Sequence, residues 1–198
     1  MYGKVGRQTI SDGVSAQPRL EETGALVVQS FGGNLQEAAM AGRLFTAAMQ
    51  TPTTSSTTLN TNFVGLALVN PTGSGKVIIV HRFSYGTTAQ ANACVLALAT
   101  TTDSGFAADI TPRCCRYGYA ASIAIVDKAA NPIAAPVIER IVATIGNGAV
   151  TTAQLYAPTF VDLQGSIILE PGRAVVTDTT AATGAVAQFG SVWEEVEQ

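Results

Sequence analysis

Apolar and polar residues alternate in short runs along the chain after residue 58, and this pattern predicts β-strands. The runs are rich in Val, Ile, Leu and Thr and are separated by Gly, Pro, Asn and Asp. No helical periodicity lies between them, which favours a β-sandwich or barrel over a parallel sheet with crossover helices. The predicted strands are Phe63–Val69, Lys76–Tyr85, Ala93–Thr100, Ser122–Val126, Val137–Thr144, Leu155–Phe160, Ser166–Leu169, Ala174–Thr177 and Val186–Val196.

The first part of the chain predicts an arm that carries a short strand and one helix. Residues 1–23 mix Gly, Ser, Gln, Pro and charges without periodicity, which predicts an extended arm or loop. The run Ala25–Phe31 predicts a strand. Apolar residues then recur at spacings of three and four, so we expect Asn34 to cap an amphipathic helix over residues 35–50. Pro52 and the Thr/Ser run after it predict a flexible linker or polar loop.

These patterns predict an all-β protein of two parts. Residues 1–57 form the N-terminal arm with its strand and helix, and residues 58–198 form the β-sandwich domain. Two turns are specified within that domain. The segment Glu170–Arg173 places Pro and Gly at the central positions of a type II turn, because Pro fixes the first φ and Gly supplies the positive one. The segment Gly146–Gly148 predicts a second tight reversal.

The composition indicates assembly and argues against nucleic-acid binding. Charged residues are only 13% of the chain, about half of the roughly 25% that is usual. Few charges suit an interface because charges are expensive to desolvate, although a Thr-rich β protein can also simply carry few. The net charge is −3 and the basic residues are scattered, so no nucleic-acid partner is expected. No signal peptide or membrane-spanning run is evident, which predicts synthesis in the cytoplasm.

The stretch NPTGSGKV, Asn70–Val77, superficially matches a phosphate-binding loop. The motif GxxxxGK[ST] requires Gly where Asn70 stands and Ser or Thr where Val77 stands. It also requires a following helix, whereas the residues after Lys76 are β-branched and predict a strand. A tight turn between two strands fits every residue, with Lys76 as a solvated charge at a strand edge.

The remaining reactive side chains predict no catalytic, metal or cofactor site, and no enzyme activity is expected. His81 is the only histidine and lies on a predicted strand, so we expect it to face solvent or a polar interface. The aspartates Asp103, Asp109 and Asp127 are spread among predicted loops without the spacing of a calcium loop. The cysteines are expected to be reduced thiols in or near the core, and they are Cys94, Cys114 and Cys115.

The C-terminal strand carries the only tryptophan and a cluster of glutamates. Trp193 shares one strand face with Phe189 and Ser191, which favours core packing, with ligand stacking as the alternative. The glutamates are expected to form a solvated chain end, and they are Glu194, Glu195 and Glu197.

Taken in order, several segments resemble a group of tailed-bacteriophage virion proteins from the head-gene region. They are EAAMAGRLFTAAMQ, GLALVNPTGSGKVIIVHRFSY, LEPGRAV and SVWEEVE, and the most specific is the GLALxNPxGSGK motif at Gly65–Lys76. The resemblance implies a non-enzymatic capsid decoration, or cement, protein on the virion surface. It also implies a jelly-roll type of sandwich, a homo-oligomer that is usually a trimer, and the major capsid protein as partner.

A second functional class is left open by the sequence. The same sandwich could serve as a receptor- or glycan-binding module associated with a phage tail or fibre. Such a module needs an exposed aromatic platform beside polar groups. Tyr117 and Tyr119 are the best candidates for that platform.

Overall fold

The computed structural model describes residues 35–54, 59, 63–89, 94–131, 136–145, 159–181 and 186–198. The predicted extended segment 1–23, the strand Ala25–Phe31, the cap Asn34 and the turn Gly146–Gly148 lie outside these residues. The described elements are α1 (Gln36–Met40), β1 (Leu44–Ala48), β2 (Thr53–Thr54), β3 (Phe63–Asn70), β4 (Lys76–Ala89), β5 (Cys94–Thr102), β6 (Arg113–Cys114), β7 (Ile125–Asn131), β8 (Val137–Ile145), β9 (Thr159–Leu169), β10 (Arg173–Ala181) and β11 (Val186–Glu197).

The strands form two antiparallel sheets, which confirms the prediction of an all-β sandwich. One sheet has the order β6-β1-β11-β4-β9, with β2 also paired to β11, and the other has the order β7-β3-β10-β5-β8. Alternate side chains of both sheets meet in the main apolar core, and a smaller apolar cluster lies on the other face of the five-stranded sheet. The largest fully buried core side chains include Leu66, Leu68, Leu96 and Leu98 from the second sheet and Ile78, Phe45 and Trp193 from the first.

The strand pairs are nested along the chain. β5 pairs with β8, β4 with β9, β3 with β10, and β1 with β11. Successive pairs alternate between the two sheets. Most connections therefore cross from one sheet to the other instead of forming hairpins within a sheet.

The predicted helix over residues 35–50 is wrong beyond Met40. The helix α1 ends at Met40, and the residues after it form the bonds of a Schellman motif: the Arg43 N–H donates to the Ala38 oxygen and the Gly42 N–H to the Ala39 oxygen. Gly42 has φ 76°, a conformation that favours glycine. The following strand, β1, pairs with both β11 and β6, and this pairing overrides the weak helical periodicity.

β1 and β2 pair with a strand of the sandwich, although the sequence assigned them to the arm and the linker before the predicted boundary at residue 57. The chain divides into two compact units, Met1–Gln36 and Glu37–Gln198, and both strands lie in the second unit. Their pairing with β11 was not evident from the sequence because the partner residues lie more than 130 positions away along the chain.

Several strand limits differ from the sequence pattern. Where two strands were predicted, β9 is continuous through Gln164 (φ 49°) and Gly165 (φ 75°), which form an irregularity opposite β4. β7 begins at Ile125, later than the predicted start at Ser122, and the two-residue strand β6 was not predicted. Short strands of this kind are defined by their pairing partners more than by their own residues.

Candidate functional site

The loop after Asn70 joins two strands that lie in different sheets. β3 and β4 were predicted to be neighbours across a tight turn, but β3 belongs to the five-stranded sheet and β4 to the other. Asn70 is fully buried. Its Nδ2 donates to the backbone oxygens of Lys76 and Leu169, each at 2.8 Å, and its Oδ1 accepts from the Ser74 hydroxyl at 2.6 Å. One amide side chain therefore ties the ends of β3, β4 and β9 together.

A second turn packs on this loop and completes the junction. The Gly172 N–H donates to the Asn70 backbone oxygen at 2.8 Å, and the Arg173 N–H donates to the Glu170 oxygen at 3.2 Å. Gly172 has φ 83°, which confirms the predicted type II turn. We call residues 70–76 and 170–173 together the sheet junction.

The sheet junction does not present a phosphate cradle. The Thr72 N–H, which would have to face an anion, donates to Oδ2 of Asp103 at 2.7 Å, and this bond lowers the pKa of the Asp103 carboxyl. A negative side chain already takes this amide, and a strand instead of a helix follows the loop. The NPTGSGKV stretch thus acts as a connection between sheets.

Lys76 is not the solvated strand-edge charge that was expected. β4 lies between β11 and β9, so it is an interior strand. The Lys76 Nζ lies 3.9 Å from Oε2 of Glu195 and 3.4 Å from Oε1 of Glu197, and 28% of the side chain is exposed. The lysine therefore neutralises carboxylates at the C-terminal end of β11.

The prediction that the three glutamates form a solvated end is wrong for Glu195, which is only 2% exposed. Its carboxylate accepts hydrogen bonds from the Ser122 hydroxyl, from the Ile123 N–H at 3.2 Å and from Nε1 of Trp193 at 3.3 Å. These donors and Lys76 offset the cost of burying the charge. Strand alternation could have revealed this, because Glu195 lies two residues beyond Trp193 on the same face.

Trp193 packs in the core, as the sequence favoured. It is fully buried, and its ring stacks on Phe45 with centroids 6.3 Å apart. Phe189 and Ser191, on the same strand face, are also buried. The indole is therefore part of the sandwich interior and closed to stacking with a ligand.

His81 lies on the opposite face of the same sheet, in a partly buried polar environment. Its Nε2 is 3.5 Å from Oε2 of Glu194 without forming a hydrogen bond. Glu194 instead accepts from Nε of Arg43 at 2.9 Å. This group supports the predicted polar setting of His81, and the Arg43–Glu194 ion pair links the residue before β1 to β11.

The aspartates do not come together as a cation site. Asp127 lies on β7, not in a loop as predicted, and is 1% exposed. Its Oδ2 accepts from the Ala107 N–H at 2.9 Å, while Oδ1 is buried without a hydrogen-bond partner. Burial raises the pKa of Asp127, and the nearby charge of Asp109 raises it further. The buried Asp127 carboxyl therefore lowers the stability of the folded protein and is not part of a group of metal ligands.

The cysteines that the structure describes are free. Cys114 lies in the core, and Cys115 is half-buried, as the sequence predicted. Burial raises the pKa of the Cys115 thiol, with adjacent Cys114 as a second cause. A raised pKa disfavours the reactive thiolate. The side chain of Cys94 lies outside the described part of the chain.

Tyr117 and Tyr119 form an exposed aromatic surface after β6. They are 89% and 56% exposed, and Met40 beside them is 51% exposed. The Arg116 guanidinium lies 4.1 Å from the Tyr119 ring centroid and donates to the Met40 backbone oxygen at 2.8 Å. A Cβ on Gly42 would overlap the Tyr119 ring, so the glycine allows this approach. We call these residues the tyrosine surface.

A second exposed apolar surface lies on β8 and β9, the last strands of the two sheets. The Arg140 Nη1 donates to the Ser166 hydroxyl at 3.1 Å, which shows that the two strands lie side by side. Sequence alternation did not single out this surface. Val137 and Ile168 line one cleft between these strands, which we call the edge surface. The pairing of Ile141 with Ala97 and of Phe160 with Ser84 places these two exposed side chains on the outer faces of the five-stranded sheet and of the other sheet, respectively.

Comparisons with known proteins add no relative. No family model, curated protein or solved structure matches the chain. Within the described ranges, no three His, Cys, Asp or Glu side chains are grouped to hold a metal ion. No helix among the same residues is long and apolar enough to cross a membrane. The sheet junction, the tyrosine surface and the edge surface are therefore the features from which a function can be inferred.

Proposed function

We propose that this protein is a structural virion protein that decorates and stabilises a bacteriophage capsid as a homo-oligomer, with the major capsid protein as its partner. The observation that carries the proposal is the motif Gly65–Lys76, whose resemblance to phage head proteins coincides with the sheet junction. In this proposal the protein is made in the host cytoplasm, is found on the capsid surface and catalyses no reaction.

The motif residues hold the sandwich together, as expected of a protein whose function depends on rigidity. Gly65 has φ 111°, and a Cβ there would overlap the Phe189 ring. The Leu66 N–H donates to the Thr177 hydroxyl at 2.8 Å inside the core. Asn70 joins three strand ends. The motif thus encodes a sandwich with a rigidly tied end, and a shell protein depends on such stiffness.

We further propose that the sandwich is a jelly roll. The nested pairs β1–β11, β3–β10, β4–β9 and β5–β8 describe one long antiparallel ribbon of eight strands wrapped around a core. Successive strand pairs of this ribbon lie in alternate sheets, which is the arrangement of two interlocked Greek keys. β7 adds an outer strand beside β3, and β2 and β6 add short pairs. Jelly rolls occur in viral capsid proteins and in lectins, so this architecture suits the proposal without deciding it.

Addition of the purified protein to expanded capsids that lack it tests the proposal. We expect saturable binding with a fixed number of copies per capsid and a higher temperature of capsid disruption. Immunogold labelling of virions should place the protein on the head. Label on the tail, or no binding to expanded capsids, would refute a decoration function. Deletion of residues 1–23 measures separately whether the arm contributes, and undiminished occupancy would remove it from the contact.

The tyrosine surface favours a second candidate, a receptor- or glycan-binding module of the phage tail or fibre. Exposed Tyr117 and Tyr119 beside the Arg116 guanidinium present flat rings and hydrogen-bond donors, which are the groups that bind sugars. Glycan-array binding that disappears in the Tyr117→Ala and Tyr119→Ala variants, together with tail labelling, would favour this candidate. Capsid binding that these variants retain would favour decoration.

A further inference from the structure

A polar cleft lies at the edge of the sandwich where β7 ends one sheet and β6 ends the other. The chain crosses between the two sheets at this edge. The Ile110 N–H donates to the Val126 backbone oxygen of β7 at 3.0 Å, and Arg113 pairs with Thr46 of β1. The cleft has a volume of about 390 Å³, which is within the roughly 300–1,000 Å³ of typical ligand sites. We call it the crossing cleft, and its lining includes Thr46, Ala47, Asp109, Thr111, Arg113 and Lys128.

Two basic side chains in this lining have no partner in the part of the chain that the structure describes. Neither Arg113 nor Lys128 forms an ion pair or a side-chain hydrogen bond with a described residue. Most other basic side chains of the same part contact a carboxylate, another oxygen or an aromatic ring, and they are Arg43, Lys76, Arg82, Arg116 and Arg140.

The position of Lys128 makes its lack of a counterion costly. Lys128 pairs with Leu66 of β3, which is fully buried in the core, so the lysine side chain leaves β7 on the core-facing side of the sheet. It is half-buried there. A cation that is partly removed from water without an opposite charge raises the free energy of the folded protein, and an anion in the cleft would lower it.

The charges of the lining select the kind of anion. Asp109 also lines the cleft, so two positive charges and one negative charge leave one positive charge. This matches a carboxylate, with one negative charge, better than a phosphate group, which carries about 1.5 to 2 at neutral pH. The arginine fork, the lysine ammonium and the Thr111 hydroxyl are donors for carboxylate oxygens. Ala47 offers an apolar wall for the methylene groups of an acidic side chain.

The walls of the cleft are held in place by backbone bonds. Besides the bond at Ile110, the Ala107 N–H donates to Oδ2 of Asp127 at 2.9 Å, and the Cys115 N–H donates to the Leu44 oxygen at 2.8 Å. These bonds fix the segment that carries Asp109 and Arg113 to β7 on one side and to β1 on the other. A site formed in advance loses less freedom on binding.

We propose that the crossing cleft binds the carboxylate of an acidic side chain on the polypeptide that this protein docks onto. Arg113 and Lys128 donate to the carboxylate, and Asp109 limits the cleft to a single negative charge. Because the chain has a net charge of −3, an acidic partner is repelled by most of its surface and is oriented on this cleft. The inference rests on the proposed function, in which the capsid protein is the partner, and it assigns a contact site for that partner.

Binding of the purified full chain to expanded capsids, measured over a range of protein concentrations, tests the contact. Arg113→Gln and Lys128→Gln should each weaken binding about tenfold, the effect of losing one hydrogen bond to a charged group. Asp109→Asn should strengthen binding about two- to fivefold, because it removes a charge that repels the ligand. The matched control, Arg173→Gln, removes the same charge from an exposed side chain outside the cleft and should bind as the wild type does. Circular dichroism verifies that each variant is folded.

A titration followed by the backbone amide signals in NMR tests the ligand without a capsid. The probes are a short polyglutamate peptide, a polyglutamine peptide of the same length and inorganic phosphate. We expect polyglutamate to shift the amide signals of Thr111 and Arg113, and Lys128→Gln to reduce these shifts. Polyglutamine should leave them unchanged, and phosphate should bind more weakly than polyglutamate.

The outcomes separate the cleft from the decoration function. Capsid binding that Arg113→Gln and Lys128→Gln both retain at wild-type strength overturns the cleft contact alone. Polyglutamate that shifts no amide signal of the cleft at millimolar concentration overturns it too, and tighter binding of phosphate overturns the choice of a carboxylate. A cleft that binds polyglutamate as expected, in a protein that binds no capsid, overturns only the decoration function.

Discussion

Replacement of Asn70 by alanine should destabilise the protein through the sheet junction. The change removes both donors that hold the backbone oxygens of Lys76 and Leu169. An unpaired buried carbonyl costs about 1–3 kcal/mol, and we assign about 2 kcal/mol to the buried Leu169 oxygen. The Lys76 oxygen can still accept from the Ser74 hydroxyl at 3.2 Å, so it adds little. The expected loss in the free energy of unfolding is therefore about 2 kcal/mol, or roughly 4–8 °C in midpoint for a chain of this size.

Urea unfolding followed by circular dichroism measures this loss, and a fixed protein concentration keeps the effect of mass action on an oligomer comparable between variants. Asn70→Asp is the matched variant: it keeps the size of the side chain but cannot donate, so we expect at least an equal loss at neutral pH. Ser74→Ala removes the bond to the Asn70 Oδ1 and the contacts of the hydroxyl with the Lys76 backbone, and should cost about 1–2 kcal/mol. An Asn70→Ala protein within about 0.5 kcal/mol of wild type would refute the reasoning, because that change is typical of a surface substitution.

Three further substitutions test the buried groups, and a fourth at the exposed Gly73 is the control for Gly65. Glu195→Gln should lower stability by about 1–3 kcal/mol, because one acceptor oxygen becomes a donor facing other donors, and altered Trp193 fluorescence reports the change. Asp127→Asn should raise stability at pH 7 by about 1 kcal/mol, since the cost of burying a carboxylate charge is removed. Gly65→Ala should cost more than about 3 kcal/mol through overlap with the core, whereas Gly73→Ala meets no atom within 4 Å and should cost only about 1–2 kcal/mol of backbone strain.

The pH dependence of unfolding tests whether the effect of Asp127→Asn is electrostatic. Burial raises the pKa of this carboxyl in the folded protein above its ordinary value of 3.8. The folded protein therefore binds the proton more tightly, and its stability falls as the pH rises from about that ordinary value through the folded pKa. The gain from Asp127→Asn should be present at neutral pH and vanish in acid. An equal gain at all pH values would contradict the electrostatic cause.

Strands with strong apolar–polar alternation were predicted from local patterns. Their pairing with neighbouring strands stabilises the same conformation that their own residues favour. Phe63–Asn70 and Val186–Glu197 lie within one residue of the predicted limits. The Glu170–Arg173 turn and the burial of Trp193 also follow from residue chemistry and the two-residue period. The prediction for Leu44–Ala48 was wrong because its apolar spacing suits a helix and a strand equally well.

The candidate surfaces were only partly predictable. The exposure of Tyr117 and Tyr119 was expected, but the stacking of Arg116 and the space left by Gly42 depend on a contact between α1 and the loop after β6. The edge surface could not be predicted, because β8 and β9 expose apolar side chains only by being the last strands of their sheets.

By itself, the sequence determined that this is a β protein, where its strong strands and turns lie, and that NPTGSGKV lacks the residues of a phosphate loop. Those properties depend on side-chain period and on φ preferences, which act over a few residues. Only the tertiary structure decided which strands pair and why Glu195 is buried while Glu197 is exposed. It also shows what Asn70 does at the position where a phosphate loop would need glycine. Each of these depends on groups that are distant along the chain, because hydrogen bonds and burial are satisfied by neighbours in space.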